Sequence, residues 1–219
     1  MKVLRRISIG ALVIMACAMF AFVVWLWPAL YVPAVRDFRI VSLDRVEAQS
    51  FKPCKIDGLQ CLVDLPYDEY LRVRITSDRN LMDFAKAHQL NLWTDVWSCH
   101  LEPDRYAGSE FITPNLYVDE IPIPFPSSRH VERFYAATGE VPGSQLEYDV
   151  YIVPRWNRLS NAHEAGKERA PPYDISDGRD VCLRMGGGNM LAGHFVGNTV
   201  RLSSADIQAA LTSSRLERN

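Results

Sequence analysis

The run CLRMGGGNM, Cys182 to Met190, sets three consecutive glycines directly behind an apolar stretch, the composition from which phosphate-binding loops are made. Such loops are written G-x-x-x-x-G-K-[ST] or G-x-G-x-x-G, because backbone N–H groups at a helix N-terminus must close around the anion. Here no lysine stands at the required place, and the continuation LAGHFVG is β-like rather than helical. The expected role is therefore mechanical: Gly186 to Asn189 form a turn or bulge, with positive φ, between two strands.

Other chemical signatures stop short in the same way. HEAGK, His163 to Lys167, carries lysine where a zinc protease motif needs its second histidine, and it lies in a polar loop instead of a helix. No G-x-S-x-G elbow is present to expose a serine nucleophile. Cys99 or Cys182 beside His100 or His194 would supply a thiolate nucleophile only if reduced. Asp64, Asp68, Glu69, Asp119 and Glu120 offer carboxylates, but sequence alone leaves them on a solvated surface. These residues give no catalytic set, no metal-ligand set and no cofactor site.

The cysteines read better as covalent staples. Cys17 lies in an apolar segment, which leaves Cys54, Cys61, Cys99 and Cys182, an even number with three connectivities. Asp57-Gly58 is a turn signal midway through CKIDGLQC and would bring Cys54 to Cys61, so that Cys99 falls to Cys182. The second bridge would close a loop of about 80 residues and restrict the unfolded chain by roughly 4 kcal/mol. A zinc site using these cysteines with His100 lacks the two-to-four-residue Cys spacing that structural sites show.

Several elements must position these residues. AVRDFRIVSLDRVEAQ alternates at Phe38, Ile40, Leu43 and Val46 with one irregularity, and YLRVRITSD places Leu71, Val73 and Ile75 on one face of a strand. NLMDFAKAHQL changes to helical period, with Leu81, Phe84, Ala85 and His88 on one face and Asp78 or Asn80 as the cap. NLWTDVWSC and QLEYDVYIVPRW return to strands. LYVDEIPIPFP is extended but holds Pro122, Pro124 and Pro126, which cannot donate to a ladder, so it belongs at an edge or in a surface arm. Asn157 to Arg179 form a long polar loop, and Ser203 with Asp206 caps a closing helix. The sum is an α+β domain, mainly antiparallel β-sheet with one or two helices.

The N-terminus sets the compartment. No charged side chain occurs from Ile7 to Val35, and the 21 residues Ile7 to Trp27 would span roughly 30 Å as a helix. Lys2, Arg5 and Arg6 precede this run and Trp25, Trp27 and Tyr31 end it, which keeps residues 1–6 in the cytoplasm and exports the bulk of the chain to the periplasm. The expected organisation is a transmembrane signal anchor at 7–27, a linker at 28–36 and a periplasmic domain at 37–219. Cleavage as a signal peptide and lipidation at Cys17 are the competing readings. Beyond residue 30 the chain holds 21 basic against 26 acidic residues, a balance of −5 that does not suit nucleic-acid binding.

The C-terminal stretch DVCLRMGGGNMLAGHFVGNTVRLSSADIQAAL resembles the closing segment of type VI secretion immunity proteins, periplasmic or lipoprotein inhibitors of toxic effectors, and KPCKIDGLQCLVDLP fits their early cysteine-bearing strand. The resemblance covers about a quarter of the chain. It implies inhibition by binding a cognate secreted antibacterial effector, with no catalytic residue to carry over. The expected contact residues are Ile121, Pro122, Ile123, Pro124 and Phe125 in the arm, and Asn157, His163 and Glu164 in the polar loop. A structural subunit of an envelope complex and an envelope hydrolase using His194 are the alternatives.

Overall fold

The computed structural model describes residues 2–33, 35, 37–51, 68–100, 116–123, 130–140, 143, 144, 147–153, 155, 156, 173–189 and 193–216. Among these residues it is α+β, with four α-helices and every strand pair antiparallel. Helix α1 (Lys2–Leu30) leads into β1 (Arg39–Glu47), followed by β2 (Glu69–Thr76), α2 (Leu81–His88) and β3 (Asn91–Ser98). The short strands β4 (Tyr117–Val118) and β5 (Ile121–Pro122) precede α3 (His130–Thr138) and β6 (Glu147–Ile152). The two-residue strands β7 (Arg155–Trp156) and β8 (Tyr173–Asp174) pair with each other, and β9 (Val181–Gly188), β10 (His194–Leu202) and α4 (Ser204–Leu216) complete the chain.

Two sheets organise the domain, one ordered β1-β2-β6-β4-β5 and one ordered β10-β9-β3. Strand β2 lies inside the first, between β1 and β6, and Leu71, Val73 and Ile75 are fully buried opposite Ile152, Val150 and Tyr148 of β6. The same core takes Leu81, Phe84 and Ala85 from α2, Val131 and Phe134 from α3, Leu183, Met185 and Phe195 from the second sheet, and Ile207 from α4. Burying each such side chain contributes about 1.5–3 kcal/mol, and truncating Leu71 to alanine costs about 2–5 kcal/mol. The expected irregularity in β1 is a register shift between Ile40 and Ser42.

The helix ends follow local chemistry. Asn80, not Asp78, caps α2 by accepting from the Asp83 N–H at 3.0 Å, and Gln89 closes it in the left-handed conformation with φ 55°. Ser203 caps α4 through the Asp206 N–H at 3.1 Å, as its spacing predicts. Asp180 holds the same helix end, accepting from the Ser204 N–H at 2.7 Å. That bond, and then the Arg201 guanidinium, keep the Asp180 carboxyl below its usual range.

The core reaches back beyond β1. Val35 is fully buried, Val32 packs against the core, and Phe38 is buried against β10. The Asn198 side chain acts as a strand rung there: its Nδ2 donates to Phe38 O at 3.1 Å and its Oδ1 accepts from Phe38 N at 3.0 Å. Gly197 makes room, since a Cβ at that position would stand 2.3 Å from the Phe38 ring. Among the described residues no helix is long and apolar enough to cross a membrane.

Candidate functional site

The outward face of the second sheet gathers the most distinctive side chains. In register, Trp93 lies opposite Gly186, Asp95 opposite Arg184 and Trp97 opposite Cys182. Alternation sends Thr94, Val96, Leu183 and Met185 into the core and leaves Trp93, Asp95, Trp97 and Arg184 partly exposed on the other side. Arg184 Nη2 donates to Asp95 Oδ2 at 3.2 Å, and its guanidinium carbon sits 5.4 Å from the centre of the Trp97 ring. The arginine is therefore fixed from two sides.

The three glycines belong to this face and to the core beneath it. They do not form a turn: Gly186, Gly187 and Gly188 continue β9, paired with both neighbours, and none has positive φ. What requires glycine is close approach. A Cβ on Gly186 would stand 2.7 Å from the Trp93 indole, and one on Gly187 would stand 2.5 Å from the Phe195 ring on the opposite face. The side chains of Trp93 and Phe195 lie flat across β9 from its two sides. Past the glycines, Asn189 donates its N–H to Gly193 O at 2.9 Å, and the bulge lies in β10 between Val196 and Thr199.

A disulfide closes the far end of the face. Cys99 and Cys182 are bonded, with their Cα atoms 5.0 Å apart, as elimination from the cysteine count predicts. It pins the end of β3 to the start of β9, beside Trp97. Cys54 and Cys61 lie outside the described residues.

Two further polar clusters have structural roles. On the outward face of the five-stranded sheet, Arg74 Nε and Nη2 donate to Asp149 at 2.9 and 3.2 Å, and Arg72 donates to Asp44 at 3.2 Å. Hydrogen bonding to the buried Asp149 raises the Arg74 pKa above the ordinary arginine value, against the opposing effect of burial. Phe51, Tyr70, Tyr117 and Tyr151 pack edge to face next to this pair. Between α2 and α3, the Tyr135 hydroxyl donates to Asp83 at 2.8 Å, and burial followed by that bond pushes its pKa up. The buried Tyr148 hydroxyl accepts the Leu81 N–H at 2.7 Å, which serves the first turn of α2.

The residues singled out in the sequence fall in separate places. Ile121 and Pro122 form β5, an edge strand as its prolines predict, but both are buried and Ile123 packs on the core. Asp119 and Glu120 close that hairpin with φ 49° and 67°, the two left-handed positions of a type I′ turn. Pro124, Phe125, Asn157, His163 and Glu164 lie outside the described residues. His194 is exposed at the start of β10, about a strand's length from His100. His100 Nδ1 is 2.6 Å from Ser98 Oγ, a pairing that suits nucleophile activation, yet Ser98 is 1% exposed and its oxygen is closed to a substrate. Among the described residues no group of three or more His, Cys, Asp or Glu could hold a metal ion.

Sequence reasoning placed Trp93 and Trp97 on a strand without drawing Arg184 to them. The signal was the W-T-D-V-W alternation, which puts both indoles and the intervening Asp95 on one face. No protein-family model matches the chain, and no curated protein and no solved structure matches it.

Proposed function

We propose that this protein works by binding: α1 anchors it in the inner membrane, and the exported domain offers the Trp93, Trp97 and Arg184 face to a secreted antibacterial effector that it neutralises. The observation that carries the reading is the preorganisation of that face. Tryptophan and arginine are the residues in which protein interfaces concentrate their binding energy. Here one indole is seated on glycines and the arginine is held by Asp95 and Trp97, so little side-chain freedom remains to be lost on association. The sequence resemblance to immunity proteins supplies the kind of partner.

Anchoring is supported by the uncharged run Ile7 to Val35 within a 29-residue helix, and by the exposure on that helix of Ile14, Phe20, Phe22, Trp25 and Trp27. Such side chains gain when hydrocarbon replaces water. The test is protection. A strain lacking the gene should die in contact with its parent, and a copy carrying Trp93→Ala with Trp97→Ala should accumulate in the membrane without restoring survival. A deletion strain as resistant as the parent sinks the inhibitor reading. Failure to complement after exchange of α1 for an unrelated anchor would point instead to a subunit of an envelope complex.

A further inference from the structure

From the way α1 joins the domain we infer that the domain lies directly on the bilayer, with α2, Asn189 and the start of β10 against the phospholipid headgroups, rather than swinging on a tether. The inference rests on α1 being the membrane anchor. Helix α1 ends at Leu30 and Val35 is already fully buried in the core, so only four residues separate the two, a reach of about 17 Å fully extended from Leu30 to Val35. Even that reach is not free, because Val32 packs against the core and Asn198 clamps both backbone groups of Phe38. Helix α1 also contacts α2. Tyr31 stacks on Trp27 at 5.7 Å, which places an aromatic pair of the kind that seeks the interface at this junction.

These contacts fix which end of the domain meets lipid. Asn189 Nδ2 donates to His88 O at 3.0 Å and ties the end of β9 to the end of α2. Strand β3 runs from Asn91 beside that junction to Ser98, about 24 Å away, where the disulfide and the start of α4 lie. On the membrane-facing end Lys86 and Arg39 are exposed cations suited to phosphate headgroups, with Asp37 and Asp78 exposed acids among them. The acid on α2, Asp83, is turned inward to Tyr135 and the Gly143 N–H.

The test uses the full chain in vesicles of phosphatidylethanolamine and phosphatidylglycerol that contain a lipid with a photo-activatable headgroup. Flotation and alkaline extraction come first, and a chain that leaves the vesicles removes the anchor reading itself. With the chain retained, cross-links on the described residues should fall on the ends of α1 and on residues 37–39, 79–89 and 193–194, and be absent from 180–182 and 201–206. A variant with ten Gly/Ser residues inserted after Tyr31 should lose that pattern while keeping its Cys99–Cys182 bond. Cross-links spread over both ends of the retained wild-type chain, or missing from α2, overturn the proposal.

Discussion

Gly187→Ala separates the two sides of the glycine strip. An ideal Cβ on Gly187 stands 2.5 Å from Phe195 Cε1 and 3.1 Å from Leu92 Cδ2. Phe195 is 4% exposed and meets the Phe84 ring edge-on at 5.5 Å, so it has nowhere to retreat. Overpacking of this kind costs about 1–3 kcal/mol. Alanine loses less backbone freedom on folding than glycine, which returns about 0.4–1 kcal/mol where φ is negative, as it is here. The net loss is about 1–2 kcal/mol, which lowers Tm by about 2–8 °C for a chain of this size. Gly186→Ala provides the contrast, because its Cβ would meet Trp93, which is only partly buried and can swing outward. That variant should melt within about 2 °C of the parent while its tryptophan emission shifts to the red. Thermal unfolding of the full chain, followed by near-ultraviolet circular dichroism with tryptophan emission recorded alongside, reads both. A Gly187→Ala protein that melts with the parent, or a Gly186→Ala protein that is the less stable of the two, refutes the reasoning.

Replacing Cys99 and Cys182 together by serine opens a loop with a sequence separation of 83 and should lower stability by about 4–5 kcal/mol, seen as a shift of the urea midpoint. Arg74→Met leaves the buried Asp149 carboxylate without its two-pronged partner and should cost about 3 kcal/mol, whereas Arg74→Met with Asp149→Leu should recover most of it in the same assay. Asp180 has its pKa depressed in the folded state, so it binds protons more readily when unfolded; its contribution is present above the ordinary aspartate range and lost as pH falls through the lower folded value. Hydrogen exchange in the first turn of α4 should accordingly quicken below about pH 4 in the parent, and Asp180→Asn should flatten that dependence.

Much of the fold was legible because its strands are patterned for a core on one side. Leu71, Val73 and Ile75 could only be a half-buried strand, and Asn80 and Ser203 announce helix starts through their own side chains. Helix α3 escaped notice although Val131 and Phe134 recur at helical spacing, because the proline-rich stretch before it reads as continuing extension. The glycine triplet was misread for a physical reason: glycine permits a turn, but it equally permits a ring to lie on a strand, and only the positions of Trp93 and Phe195 decide between them. The Trp93–Arg184 face was half visible, since alternation puts Trp93, Asp95 and Trp97 together, while the arrival of Arg184 depends on pairing across 89 residues.

The Asn198 rung has a consequence for how the chain becomes a domain. It joins residues 160 apart, and the apolar groups it helps to cover, Val35 and Phe38, are made first while their cover is made last. At a synthesis rate of about 5–20 residues per second, roughly 8–30 s pass between them. Local pairing of β1 with β2 can begin during that interval, but closure at Phe38 waits for β10, and long-range closures of this kind slow folding. The nascent chain therefore carries uncovered apolar groups at Val35 and Phe38 for seconds before β10 can close over them.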